Sequence, residues 1–293
     1  RSSGLLSKYT WKGTALVQSG PALNIWRAPT DNDGFKWMSE DEWIRMQQKL
    51  LSQWLVAGLD RLENKLESFE CAQLRLQVAQ VKTTHTVQAQ GIDAGFRYAL
   101  IYTVYGNGAV LTEHHLIPFG DLPPLPRVGV GMIIAPGLEQ FTWLGRGPEE
   151  SYVDRKTGVA VGLYTGTVDE QYVPYILPQE NGNKTDVRWA ALSDAQGNGL
   201  LVVGEPLLEV SASHFRAQDL YKAMHTNELT RQAEVYFNLD LMQCGLGGNS
   251  CGPKTLEKYM VWPGEARFSI LLRPFTAGDP LPKLAREWVE KIS

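Results

Sequence analysis

The chain contains few cysteines and none of the patterns that bind zinc or build a disulfide framework. Its 293 residues include three, Cys71, Cys244 and Cys251, and no C-x-x-C pair. An odd number of widely spaced thiols is typical of reduced cysteines in a cytoplasm. The sequence also lacks an apolar run of about 18 residues and a signal-peptide pattern. These absences predict a cytoplasmic protein that does not contact a membrane.

An excess of charge of one sign is missing as well. The chain has 28 Lys and Arg against 32 Asp and Glu, a formal net charge of −4, and its basic residues do not cluster. This distribution argues against nucleic acid as a partner. Aromatic residues are plentiful, with nine Trp and eleven Tyr, which suits a sugar-binding protein or a large sheet core. The chain starts without Met at Arg1-Ser2-Ser3, so we expect a fragment of a longer protein.

Alternation of apolar and polar residues dominates the chain and predicts an all-β, antiparallel fold. Residues 4–17 are expected to form a hairpin with its turn at Lys12-Gly13, and Gly106-Asn107-Gly108 is a second hairpin signal. Alternation changes phase near Ala79-Gln80, which predicts a bulge or turn there. The predicted strands lie at 70–78, 81–87, 96–104, 110–116, 128–134, 159–164, 199–203, 207–213, 234–242 and 266–274.

Two short peripheral helices are predicted beside the strands. Ser39 and Glu42 form a capping box, and a helical stripe of apolar residues ends before Gly58. The stripe consists of Trp43, Met46, Leu50 and Trp54. Asp279 and Pro280 begin a C-terminal helix over 279–293. With no internal repeat or low-complexity linker, one domain over 1–293 is the simplest interpretation, with residues 1–25 as a leading hairpin.

The most unusual stretch is the polar string from Asn24 to Gly34, N-I-W-R-A-P-T-D-N-D-G. Pro29 fixes its own φ and keeps Ala28 out of helical space, so the string enters extended. The side chains of residues 31–33 can hydrogen-bond their own backbone, which favours a tight turn. We therefore expect a carboxylate-rich loop that Trp26 and Arg27 anchor.

Three further strings accompany it in the same order as in a known family. They are W-L-G-R-G-P-E-E-S-Y-V-D-R at 143–155, Y-V-P-Y-I-L-P-Q-E-N-G at 172–182, and L-D followed by G-L-G-G-N-S-C-G-P at 239–253. Together with the string at 24–34, they span nearly the whole chain. The sequence thus resembles the C-terminal, small-chain region (domain 5) of family 2 β-galactosidases.

Taken on their own, the motif residues leave several chemistries open. Glu149, Glu150 and Asp154 could include a glycosidase acid and nucleophile, but pairing with Arg155 explains them as well. The glycines at 245–248 do not fit a dinucleotide loop, because no helix pattern follows them. The histidines are not at ligand spacing, so we expect no metal in this chain. Cys251 has no neighbour that would activate its thiol.

The resemblance implies a large antiparallel supersandwich similar to galactose mutarotases, and a role without catalytic residues of its own. In the family, the acid and nucleophile glutamates lie in a barrel domain or large subunit, which is the expected partner together with a galactoside. Mg and Na are expected only in other domains of the parent enzyme, which is expected to be oligomeric. The implied substrate-rim residues are Asp31, Asn32, Asp33, Gly34, Asn249, Ser250 and Cys251. The implied structural signature is Trp26, Arg27, Pro29, Trp143, Tyr152, Arg155, Glu180 and Asn181.

One departure from the family concerns the loop at 249–251. Well-known members carry a Trp that stacks on the substrate where this chain has Cys251, after a loop one residue shorter. A thiol offers far less apolar area than an indole, so the resemblance does not carry the stacking role to this position.

Two other functions fit the residues. An aldose 1-epimerase would need a His acid and a Glu base, for which His114 with Glu180 or Glu149 are the candidates. A carbohydrate-binding or assembly module would need only an exposed aromatic platform.

Overall fold

The computed structural model describes residues 3–38, 42 and 49–292. In that part of the chain, thirteen strands pair into one antiparallel sheet, which confirms the all-β, antiparallel prediction. The strands are β1 (Tyr9–Trp11), β2 (Thr14–Asn24), β3 (Glu63–Arg75), β4 (Val78–Gln88), β5 (Gly95–Tyr105), β6 (Val110–Phe119), β7 (Arg127–Ile134), β8 (Gln140–Gly147), β9 (Ala160–Thr167), β10 (Lys184–Ser193), β11 (Gly199–Ser213), β12 (Val235–Gln243) and β13 (Ala266–Phe275).

The main path of the sheet runs β1-β2-β7-β12-β11-β13-β6-β5-β4-β3, and β10, β8 and β9 branch from β11. Strand β11 holds these parts together. Its first half pairs with β13, its second half pairs with β12, and β10 pairs along it. One core cluster joins side chains from distant strands, including Val17, Phe96, Phe141 and Phe237. The sheet therefore curls around a shared interior.

In the described part of the chain, the helices that accompany the sheet are α1 (Leu50–Val56), α2 (Ala217–Lys222) and α3 (Leu281–Ile292), and α3 packs on β11. Helix α1 buries Trp54 completely, and its indole Nε1 donates to the Pro124 carbonyl at 2.7 Å. Gly58 follows in the left-handed region at φ 69°, as its predicted role as a helix stop requires. The predicted capping box begins at Ser39, and this residue, Trp43 and Met46 lie outside the described residues.

The predicted hairpin turns are confirmed at Lys12-Gly13, where φ is 47° and 87°, and between β5 and β6. Other predictions were wrong in detail. The turn placed near Ala79-Gln80 lies at 76–77, with Gln77 at φ 62°. The strand expected from residue 70 begins at Glu63, because β3 is exposed on both faces and lacks an alternating pattern. The two strands expected at 199–203 and 207–213 are the single strand β11, and β8 and β10 were not predicted.

Candidate functional site

The loop at 30–34 is built around a buried ion pair. The guanidinium of Arg27 binds the carboxylate of Asp33 through two hydrogen bonds, at 2.7 and 3.2 Å, and both side chains are at most 1% exposed. The same carboxylate accepts hydrogen bonds from the amide and hydroxyl of Thr30. A Cβ on Gly34 would lie 2.8 Å from the Cβ of Leu51. The loop is thus closed on itself and packed against helix α1.

Two side chains tie this loop to the glycine-rich segment after β12. Besides Asp33, Arg27 donates to the side chain of Gln243 at 3.3 Å and to the carbonyl of Cys244. The amide of Asn32 donates to the Gly247 carbonyl and accepts from the Ser250 N–H, both at 2.9 Å. The structure therefore brings the two predicted rim loops together through one amide group.

Asp154 holds the glycine-rich segment from the opposite side. Its two carboxylate oxygens accept the N–H groups of Leu246, at 3.0 Å, and Gly247, at 2.7 Å. Gly247 lies at φ 62°, and a Cβ on Gly245 would lie 2.8 Å from the Asp154 carboxyl carbon. Both glycines are thus required by the local geometry.

Glu150 performs the same task for the string at 172–182. It accepts the Gly182 N–H at 2.7 Å, the phenol of Tyr175 and the guanidinium of Arg155. Tyr152 is buried, and its hydroxyl lies 3.4 Å from the same carboxylate. Glu150 and Asp154, both considered as catalytic acids, are engaged in fixing the backbone.

A buried triad of charged residues, Arg127, Glu180 and Asp240, supports the loops. Arg127 binds Glu180 at 2.7 Å and Asp240 at 3.0 Å, and its side chain is 1% exposed. Burial disfavours a charged Arg127, but Asp240 and Glu180 raise its pKa above the ordinary value. Burial also raises the pKa of Asp240 to about 7, and Arg127 opposes this shift. The Glu180 N–H donates to the carbonyl of Ala28 at 3.1 Å, so this triad also supports the first loop.

An open groove of about 570 Å³ runs between the loops. Asp31 lies on its wall, where its N–H and one carboxylate oxygen pair with the amide of Gln179 at 3.3 Å. Ser250 and Cys251 line the same groove and are exposed. Asn249 instead lines a separate cavity of about 230 Å³, and its carbonyl accepts from Lys49. Of the seven predicted rim residues, Asp31, Ser250 and Cys251 line this groove. Asn32 and Asn249 line the other cavity, and Asp33 and Gly34 are buried in the first loop.

The other signature residues stabilise the scaffold. Trp26 is buried and contacts Trp54 and Tyr221 edge to face, at centroid distances of 6.2 and 5.6 Å. Pro29 is buried in the first loop. Trp143 stacks on Phe141 inside the core. The side chain of Asn181 accepts from Val173 N–H and donates to the Gln179 carbonyl, closing the turn before Gly182.

The histidines have partners that suit packing. His114 is buried beside Phe268 and hydrogen-bonds Tyr98 and Thr112, and burial lowers its pKa to about 3. Glu180, the candidate epimerase base, binds Arg127. The candidate acid, His114, binds Tyr98 and Thr112 instead. Among the described residues, one group of possible metal ligands comprises Glu139, Asp169 and His214. The guanidinium of Arg231 binds all three, at 2.9 to 3.3 Å.

Sequence reasoning missed two residues that shape the site, Lys36 and Arg127, and it included Asp240 in a motif without assigning it a role. A signal for Arg127 was present in the R-V-G-V-G run of β7. Small residues at alternate positions leave room on one face of a strand, and a Cβ on Gly129 would clash with the Asp240 carboxylate. Lys36 has no comparable local signal, because its three hydrogen-bond partners are distant in sequence.

Comparisons with known proteins agree on one family. A family model described as "Beta galactosidase small chain" matches residues 1–272. The chain is 32% identical to the β-galactosidase of Priestia megaterium, covering 89% of this chain and 24% of that protein. It is 30% identical to the β-galactosidase of Vibrio cholerae, covering 93% and 26%. The chain therefore spans about a quarter of the length of these relatives.

Structural comparison finds more distant neighbours. The galactose 1-epimerase of Lactobacillus acidophilus has a TM-score of 0.43 and 9% identity, covering 72% of this chain and 67% of that one. A GalM/aldose epimerase homologue from C. elegans has a TM-score of 0.39 and 10% identity, covering 94% and 81%. At such TM-scores neither likeness bears on function. Within the described residues, no helix has the length and apolar character needed to cross a membrane.

Proposed function

This chain belongs to the β-galactosidase small-chain family, and we propose that it is a non-catalytic domain or small subunit that completes the active-site rim of such an enzyme. The hydrolysis of terminal β-D-galactosides then takes place on a barrel domain or large subunit outside this chain. The loops at 31–34 and 249–251 supply contacts at the rim and exclude water from the reacting sugar.

The observation that carries the proposal is how the motif carboxylates are used. Asp33 and Glu180 neutralise buried arginines, and Glu150 and Asp154 accept main-chain N–H groups of the loops. A retaining glycosidase needs two carboxyl groups about 5–5.5 Å apart, one to protonate the leaving group and one to attack the sugar. A carboxylate that binds a cation or backbone amides serves to hold a loop in position. We therefore assign the acid and the nucleophile to the partner.

In this proposal the partner breaks the glycosidic bond by double displacement with retention of configuration. The oligomeric parent and the use of Mg and Na by other domains remain predictions from the family resemblance. The cytoplasmic location remains a prediction from the cysteine pattern and the lack of a signal-peptide pattern.

The first experiment measures galactoside hydrolysis by this chain alone, by the remainder of the parent enzyme alone, and by the two together. We expect activity only when both are present. Hydrolysis by the isolated chain would refute the assignment of roles, and full activity of the remainder would show that the rim is not needed.

A second experiment tests the loop contact in the complete enzyme. Asn32→Ala removes both hydrogen bonds between the rim loops, so we expect kcat/KM to fall about tenfold or more, because small displacements of positioning groups are costly. Asn227→Ala, at an exposed asparagine in a surface turn, is the matched control. Equal kinetics for the two variants would contradict a role of this contact at the rim.

A further inference from the structure

The groove between the rim loops has an aromatic wall that no motif predicted. Phe35 and Trp37 stack with ring centroids 4.7 Å apart and planes inclined by 29°. The Met38 N–H donates to the Phe35 carbonyl at 3.1 Å, which closes a turn around the pair. Trp37 is 53% exposed and lines the groove together with Tyr175 and Cys251. The indole of Trp37 is exposed although most of its loop is packed against the protein, so it is a candidate surface for contact with a ligand.

The stacked pair is held in place by the residue between its two members. The Nζ of Lys36 donates to the carbonyls of Pro178 and Leu220, both at 2.8 Å, and to that of Ala223. All three donors of the ammonium are thus used. Rotating the turn away from the groove would break three charge-assisted hydrogen bonds at once. The aromatic wall is therefore preorganised, which lowers the entropic cost of binding against it.

Phe35 is the inner member of the pair. The Nζ of Lys49 lies 5.3 Å from its ring centroid, and Trp37 stacks on the same ring. Trp37 thus rests on Phe35 and leaves half of its own surface to solvent in the groove. The loop at 249–251 contributes the small side chains of Ser250 and Cys251. The groove is further lined by Tyr175, Ile176, Leu177 and Met224, but its only pair of stacked rings among the described residues is Phe35 and Trp37.

We propose that Trp37 is the stacking platform for the leaving-group sugar of a β-galactoside, a role that rests on the function proposed above. A pyranose has an apolar C–H face that packs on an indole and hydroxyl groups at its edge. Asp31, Gln179 and Ser250 lie around the groove to pair with those hydroxyls. The volume of about 570 Å³ is within the range of small-molecule sites. The stacking surface is thus on the loop after Gly34, facing Cys251.

The test uses the complete enzyme and three variants: Trp37→Ala, Trp37→Phe and the control Phe69→Ala. Phe69 is an aromatic residue of β3 that is 38% exposed. Each variant is assayed with lactose, whose leaving group is a sugar, and with methyl β-galactoside, whose leaving group is too small to reach the platform. We expect Trp37→Ala to raise KM for lactose about three- to tenfold, Trp37→Phe to raise it less, and neither to change KM for the methyl galactoside.

Other outcomes overturn the proposal in distinguishable ways. Equal changes for both substrates would show that Trp37 does not contact the leaving group. Unchanged KM with weaker association between this chain and the rest of the enzyme would assign Trp37 to a protein interface. If KM is unchanged and this chain still associates with the rest of the enzyme, the leaving-group sugar does not bind in the groove. Full activity of an enzyme lacking this chain would refute the proposed function itself, whatever the Trp37 variants do.

Discussion

The buried pair of Arg27 and Asp33 gives the sharpest prediction for stability. Replacing Asp33 by Ala leaves the Arg27 guanidinium, which is 0% exposed, without its counter-charge. The carbonyl of Cys244 and the side chain of Gln243 still accept from it, but they do not neutralise it. Removing one member of a buried ion pair typically costs about 3–5 kcal/mol. Since domains are stable by about 5–15 kcal/mol, the variant should be marginally folded.

The free energy of unfolding is measured by urea titration of the wild type, Asp33→Ala and Asp33→Asn. The asparagine keeps the volume and one acceptor but removes the charge, so we expect its loss to lie between the other two. Asp60→Ala is the control, because the Asp60–Arg61 pair is partly exposed and such pairs contribute about 1 kcal/mol or less. The reasoning is refuted if Asp33→Ala is no less stable than this control.

Two further predictions follow from burial. Burial raises the pKa of Glu209 from 4.5 to about 7. Between pH 4.5 and about pH 7 the folded protein therefore keeps a proton on Glu209 that the unfolded chain has released. The free energy of unfolding should fall as the pH rises from about 4.5 to about 7. Glu209→Gln should flatten this part of the denaturation profile, and an unchanged slope would contradict the shift. Cys71 and Cys251 are exposed, while Cys244 is buried and burial raises its pKa to about 11. A thiol reagent should therefore modify two cysteines in the native protein and the third only after unfolding. Rapid modification of all three cysteines in the native protein would contradict the burial of Cys244.

The strands that sequence patterns predicted are those with one buried face. β5 alternates because Phe96, Tyr98 and Leu100 enter the core while intervening residues do not. β3 has almost no buried residue, so nothing in its composition separates it from a loop. β11 was divided in two because Pro206 interrupts its pattern. Alternation therefore reports burial, and strands that pair without burial are not detected.

The candidate site was predictable as a set of strings but not as an arrangement. The turn of Thr30 to Asp33 is local, and Asx chemistry indicates it. Several contacts that join the strings link residues far apart in sequence: Asn32 and Ser250 are 218 positions apart, and Asp154 and Gly247 are 93 apart. No local periodicity encodes such pairs. Trp37 followed the recognised string and matched no motif, so only the fold indicated its place on the groove.

The glycine-rich loop is held almost wholly by its main chain. Arg27, Asn32 and Asp154 all bind carbonyl or N–H groups of residues 244–250. Every amino acid provides the carbonyl, and every one except proline provides the N–H. The hydrogen bonds that hold this loop therefore do not depend on most of its side chains. Evolution, or a mutant library at 249–252, can vary the chemistry presented to a sugar there while the loop itself stays in place.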